Sequence, residues 1–370
     1  MKKLRDEYVI QAISEKIGVR QEYMNIQELQ FISKLSIGDK ESKKISFMKD
    51  YSDLDVLKYL DSGATVELYS IDLSRKVITF GKNTAKIRLV NCNLYETQIV
   101  VENANEEYTG YALEIESCKF EKLSLSLLAM HAKSINIIGR TQYTVSREKD
   151  YQLLETEMLK VNPNYLELRE EEKFELLRSN GYIEAVAPEV KLYSVDNMSR
   201  IKSIQVEGVC IADLELTDTD KFSSNKTQIE TLKFVNCEFK NCHSTFVLKV
   251  SNLYLENCKV YIEDVLSNFY GINTLKIIST TGVKFRYLGV SDKIENVYVE
   301  NCETPFEGED LKQISKTVTL TLINVKNNNL QFKKLLKFKL LKKLHIIGNV
   351  TVEEKILNKL KKIMEVIIEN

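Results

Sequence analysis

The chain has 370 residues, 44% hydrophobic and 28% charged, with no low-complexity run, a composition that argues against an intrinsically disordered protein. Its 52 basic residues balance 53 acidic ones, so no global field draws in nucleic acid or anionic lipid, and no nucleic-acid partner is expected. No run approaches the ~20 apolar residues that span a bilayer, so membrane insertion is not expected either.

Met1-Lys2-Lys3-Leu4-Arg5 leads into no apolar signal core, and the sequence as it stands reads as cytoplasmic. A secreted or surface-attached protein stripped of its leader would read the same. Residues 1–27 are expected to form a helical N-terminal cap: Ile10, Ile13 and Ile17 share one helical face and Gly18 stops the helix. An irregular series of apolar phrases follows over 28–146, carried by Ile32/Leu35/Ile37, Val66/Leu68/Ile71, Ile87/Leu89/Cys92, Leu113/Ile115/Cys118 and Ile135/Ile137. Their strand starts at 35, 66, 87, 113 and 135 are spaced by 21 to 31 residues.

Over 147–185 the phrase disappears. Tyr151 to Lys160 and Asn164 to Ser179 read as helices, the second capped by Asn164, stopped by Gly181 and burying Leu166, Leu168, Phe174, Leu176 and Leu177. This is either an insertion or a junction between two arrays. From 186 to 370 the phrase returns with regularity: strand starts at 232, 253, 275, 297, 320, 344 and 366 lie 21 to 24 residues apart. Ile229, Leu232, Phe234, Cys237 and Phe239 fill the template apolar-x-x-Leu-x-Leu-x-x-Cys/Asn-x-apolar, as do Val250, Leu253, Leu255, Cys258 and Val260. Leu341, Leu344, Ile346 and Asn349 fill it with asparagine at the key step.

The physical content of the template is a short strand with every second side chain inward, then a bend. At the bend, backbone polar groups turn toward the interior and need partners. Asparagine, or cysteine as a small and readily buried weak hydrogen bonder, suits that step. Cys92, Cys118, Cys237, Cys258 and Cys302 therefore read as reduced core rungs, a cysteine ladder rather than a disulfide or metal set. Cys210 and Cys242 fall outside the slot and are the expected sites of any thiol reactivity.

The return segments Glu263–Tyr270, Glu309–Ile314, Phe332–Phe338 and Glu353–Ile363 show helical spacing, the last two lysine-rich outside. Period and phrase together resemble the leucine-rich repeat, and cysteine at the bend resembles the bacterial internalin type. The resemblance implies an α/β leucine-rich repeat solenoid, with parallel strands on a concave face and short helices on the convex one. The competing reading is a β-helix carbohydrate-active enzyme or glycan-binding adhesin, which would show three β-branched strands per coil and almost no helix.

Catalytic and metal signals are thin. His131, His243 and His345 neighbour no nucleophile motif, and Cys237, Cys242 and His243 lack zinc spacing. Asp213, Asp218 and Asp220 lack the glycine and glutamate of a calcium loop. Phosphate-loop, dinucleotide and nucleophile-elbow motifs are absent. No cofactor and no enzymatic activity are expected.

What remains is the concave face. In the C-terminal array the middle outward column reads Lys233, Tyr254, Lys276, Tyr298, Thr321, His345. The next reads Val235, Glu256, Ile278, Glu300, Ile323, Ile347. Tyrosine, aliphatic and mixed-charge groups on a rigid sheet suit a protein or peptide partner. The earlier column, Glu67, Arg88, Glu114, Asn136, is more polar. The candidate binding residues are thus Lys233, Tyr254, Glu256, Lys276, Tyr298, Glu300, Thr321 and His345.

Overall fold

The computed structural model describes residues 4–369 apart from 24, 43, 61, 103–109, 121–122, 125–130, 140–141, 146–150, 195–200, 217–228, 241–247, 262–264, 286–287, 289–293, 303–312, 326–328 and 349–351. Asn349, Cys242, His243, Asp218 and Asp220 lie outside the described residues, as does most of Glu309–Ile314. Two compact units are present, one made of residues 1–139 and 189–370, the other of 140–188.

The larger unit opens with helix α1 (Glu7–Ile17), whose first turn donates Tyr8 N–H and Val9 N–H to the Asp6 carboxylate. Gly18 ends it at φ 73°, donating its N–H to the Ser14 carbonyl. Ile13 is fully buried, with Ile10 and Ile17 packed partly against the core. Asp53 ties the cap to the array by accepting the backbone N–H groups of Arg5 and Asp6 at 2.5 and 2.6 Å.

Thirteen parallel strands then pair in series among the described residues. They are β1 (Lys34–Gly38), β2 (Thr65–Tyr69), β3 (Lys86–Val90), β4 (Tyr111–Glu116), β5 (Ala132–Ile138), β6 (Ser203–Glu207) and β7 (Ile229–Val235). The series continues through β8 (Leu248–Glu256), β9 (Thr274–Ile278), β10 (Asn296–Glu300), β11 (Thr319–Ile323), β12 (Lys343–Ile347) and β13 (Glu365–Glu369). The register is set by the apolar phrase: Leu253 pairs Leu275, Leu275 pairs Val297, and Val297 pairs Leu320. One inward residue per strand, from Leu35 and Val66 through Leu275 to Leu344, is no more than 2% exposed. A Leu→Ala change at such a site costs about 2–5 kcal/mol, because the coils above and below hold the cavity open.

This is the leucine-rich repeat solenoid that the phrase implied: one long parallel sheet with short helices on the return path. Helices α2 (Asn329–Leu335) and α3 (Glu354–Lys361) fill two of the expected helical returns. The segment at 263–270 differs, with a 3₁₀ turn over Val265–Asn268 and a short strand, Phe269–Tyr270, beside β8. Several other coils use strands after the bend. Val77–Phe80 pairs Gln98–Val101, and a five-stranded parallel sheet joins Leu123–Ser124, Glu189–Ser194, Cys210–Leu216, Glu238–Phe239 and Lys259–Val260. The coils approach so closely there that a Cβ on Gly282 would meet the Val260 carbonyl oxygen at 1.8 Å.

The bend has one conformation, repeated. Ser70, Asn91, Ser117, Asn236, Asn257, Ser279, Asn301 and Asn324, each the residue just after its strand, all lie at φ between 46° and 54°. Gly208 and Gly348 take the same step with positive φ. Asparagine and glycine tolerate this left-handed region best. The following residue is the buried rung. Cys237 Sγ donates to the Val206 and Val235 carbonyls, and Cys258 Sγ to those of Phe234 and Glu256. Thr280 fills the same step with a stronger donor, 2.8 Å from the Ile278 carbonyl.

Strand β5 pairs directly with β6, Ser134 against Ser203 and Ile135 against Ile204, although 64 residues separate their facing ends. The second unit contains helices Tyr151–Val161 and Glu170–Ser179 and an antiparallel pair, Gln142–Val145 with Ile183–Val186. Among the described residues of this unit Leu154 and Met158 are buried. The helix expected from Asn164 instead starts at Glu170, after a 3₁₀ turn over Tyr165–Glu167 and an extended Leu168. Glu172 reaches back to the Arg169 N–H at 3.0 Å and, with Glu170 and Glu171, places the negative charge where the helix dipole favours it. The expected buried side is corrected accordingly: Leu166 is 58% exposed, and Leu168, Phe174, Leu176 and Leu177 are only half-buried.

Candidate functional site on the outward strand face

The alternation that buries one set of side chains turns the other outward, and parallel pairing aligns the outward set into columns whose successive members are about 4.8 Å apart. Lys233 faces Tyr254, Tyr254 faces Lys276, Lys276 faces Tyr298, Tyr298 faces Thr321, and Thr321 faces His345. The adjoining column runs Val235, Glu256, Ile278, Glu300, Ile323, Ile347 on the same strands. All twelve are half-buried. The eight residues selected from the sequence therefore stand together on one surface.

Their polar groups are matched to one another. Lys233 Nζ lies 2.7 Å from Glu256 Oε2, and Lys276 Nζ sits 4.8 Å from the Tyr298 ring centroid. Tyr298 donates its hydroxyl to Glu300 Oε2 at 2.6 Å. Partial burial, then the hydrogen bond to Glu300 and its charge, push the Tyr298 phenol up to about 12. His345 Nε2 lies 3.1 Å from Glu369 Oε1, at the last strand pair. At the rim of the bends Asn324 Nδ2 donates to Asn301 Oδ1 at 2.9 Å.

The N-terminal half of the face carries a denser charge network that sequence inspection registered only as polar. Arg88 reaches three carboxylates on adjacent strands: Nε lies 2.8 Å from Glu114, Nη2 lies 2.5 Å from Glu116, and Nη1 lies 3.9 Å from Glu67. Lys86 joins at 2.6 Å from Glu114, Lys34 at 3.1 Å from Glu67, and the Ser36 hydroxyl at 2.7 Å from Glu67. Burial alone would push Glu67 up. Hydrogen bonds from Ser36, Lys34 and Tyr69 outweigh it and hold the carboxyl below its usual range. The signal was present as a charge alternation down one column, but the convergence on Arg88 depends on the long side chains crossing strands.

Among the described residues the cysteines are buried, apart from the half-buried Cys118. Cys92, Cys237 and Cys258 are at most 1% exposed, and all six described cysteines are free thiols. Cys118 is pushed well above the ordinary thiol range by burial and by the Cys92 sulfur. Cys210, expected as a reactive candidate, is 2% exposed and likewise pushed up by burial, because it starts the second-sheet strand Cys210–Leu216. That expectation is corrected. Among the described residues no group of three or more His, Cys, Asp or Glu side chains stands where it could hold a metal. Among those same residues no helix is long and apolar enough to cross a membrane.

No family model and no curated protein matches this chain. Among solved structures it is similar to an internalin (inlF) from Listeria monocytogenes, at 13% identity, covering 100% of this chain and 97% of that one, with a TM-score of 0.34. The repeat architecture described above rests on this chain's own strand register.

Proposed function

We propose that the chain is a non-enzymatic protein-interaction scaffold that docks a protein or peptide on the outward strand face of β7 to β12. The observation that carries this reading is a row of paired strands whose half-buried outward charges are already matched to neighbours. Lys233 is paired with Glu256, Lys276 stacks on Tyr298, and Tyr298 bonds to Glu300. A partner meeting this strip finds an aromatic and aliphatic surface, with Tyr254, Ile278, Ile323 and Ile347 as contact groups. Side chains held in one geometry lose little entropy on binding. Tyrosine at the centre of such a surface is a frequent energetic anchor.

The test is affinity capture from the native organism's lysate with the full chain, followed by direct binding of the captured protein. Alanine at Tyr254 and Tyr298 together should weaken that binding by roughly 2 kcal/mol or more with the circular dichroism spectrum unchanged. Undiminished binding by the double variant would overturn the assignment of the surface.

A further inference from the structure

Overall neutrality conceals a segregation of charge. Residues 311–370 hold 13 lysines and four glutamates, whereas residues 1–310 hold 39 basic and 49 acidic residues. The lysines gather on the return segments of the last two coils. Lys333, Lys337, Lys339 and Lys342 are exposed on one coil, and Lys355, Lys359, Lys361 and Lys362 on the next.

The β12–β13 pair, in which Lys343 faces Glu365, puts the two lysine-bearing return segments on neighbouring coils. Like charges gathered on neighbouring coils repel, so their presence costs the isolated fold stability. The helix dipole accounts for lysines in the last turns of α2 and α3. It does not account for Lys337, Lys339 and Lys342, which lie beyond the end of α2.

Two apolar side chains stand among them. Leu340 is 43% exposed between Lys339 and Lys342, and Ile363 is 55% exposed beside Lys361 and Lys362. Lysines around exposed aliphatic groups match the interface of an anionic bilayer, where the ammonium groups meet lipid phosphates and the aliphatic groups enter the acyl boundary. Nucleic acid is the poorer fit. Residues 311–370 contain no arginine for bidentate phosphate contacts, and their aromatic residues, Phe332 and Phe338, are buried rather than offered to bases.

We propose that this lysine surface is a peripheral docking site for anionic lipid membranes, separate from the strand face. The test is co-sedimentation of the full chain with phosphatidylglycerol–phosphatidylcholine vesicles, compared with pure phosphatidylcholine vesicles. Binding is expected only to the anionic vesicles, and it should be released as salt shortens the screening length from about 10 Å at 0.1 M to about 3 Å at 1 M. Each lysine removed should lower partitioning about fivefold. The variants K337Q/K339Q and K359Q/K361Q, which leave the two coils separately intact, should each lose roughly 25-fold. Leu340→Ser with Ile363→Ser should weaken binding while leaving its salt dependence in place. The proposal is overturned if anionic vesicles are not bound, if neutral vesicles bind equally, or if both lysine variants partition like the parent. Binding of duplex DNA without binding of vesicles would overturn it in favour of a nucleic-acid surface.

Discussion

Asn257 is exposed, and among the described contacts its part in the fold is conformational: it lies at φ 52°, directly after β8. An exposed residue is ordinarily worth less than about 0.5 kcal/mol on substitution. Here the backbone must stay in the left-handed region, because Asn257 N–H donates to the Ile278 carbonyl at 2.8 Å and Cys258 behind it must reach inward. Left-handed backbone costs a side chain with a Cβ about 1–2 kcal/mol, least for asparagine and most for a β-branched residue. Asn257→Gly should therefore be within a few tenths of a kcal/mol of the parent, Asn257→Ala lower by about 1, and Asn257→Val lower by about 2. Combining valine at Asn236, Asn257 and Asn301, which share φ values of 50–52°, should lower stability by about 6 kcal/mol, comparable to the whole stability of many domains. Urea denaturation followed by far-ultraviolet circular dichroism measures the series. Equal losses for glycine and valine would refute the reasoning, since they would assign the effect to the amide side chain and not to the backbone.

Arg88→Ala should destabilise by about 2–3 kcal/mol near neutral pH, because Glu67, Glu114 and Glu116 lose their shared cation. Glu67 is held below its usual range, so its contribution is present above the ordinary carboxylate pKa and lost as pH falls through the lowered one. The Arg88→Ala penalty should accordingly shrink in denaturation at acid pH, and a constant penalty would refute the network. For Tyr298 the sign is opposite: with its phenol raised to about 12, the bond to Glu300 is fully present below the usual tyrosine pKa and lost as pH rises through about 12. Tyr298→Phe should flatten the loss of stability in that alkaline window, as alkaline denaturation curves would show. Iodoacetamide should leave Cys92, Cys237 and Cys258 unmodified in the folded protein and label all seven cysteines in urea, read by mass spectrometry. Rapid native labelling of the buried three would show that the rungs open.

The array was legible because its information is local and repeated. Leu-x-Leu alternation identifies which side chains of β7 to β12 turn inward, and a constant spacing makes successive strands fall in register, so the outward columns follow by counting. Cysteine is the rarer residue of the repeated phrase, while the conformational demand of the bend sits on the asparagine before it, at Asn91, Asn236, Asn257 and Asn301. The helix expected over 164–179 was only partly legible, since Leu168 could extend and let Glu170–Glu172 form a better-charged start.

Apolar period, cap residues and the identity of the two outward columns are properties of the amino-acid order alone, because side-chain direction in a strand alternates whatever surrounds it. Other features were decided only when distant segments met. The pairing of β5 with β6, which lie on either side of residues 140–188 in the sequence, depends on nonlocal backbone hydrogen bonds. So do the second-sheet strands that bury Cys210, where the sequence alone left that thiol free to react. The convergence of Arg88 on three carboxylates and the gathering of lysines from two coils have the same origin. Charge acts through space, and only the stacked coils determine which charges are neighbours.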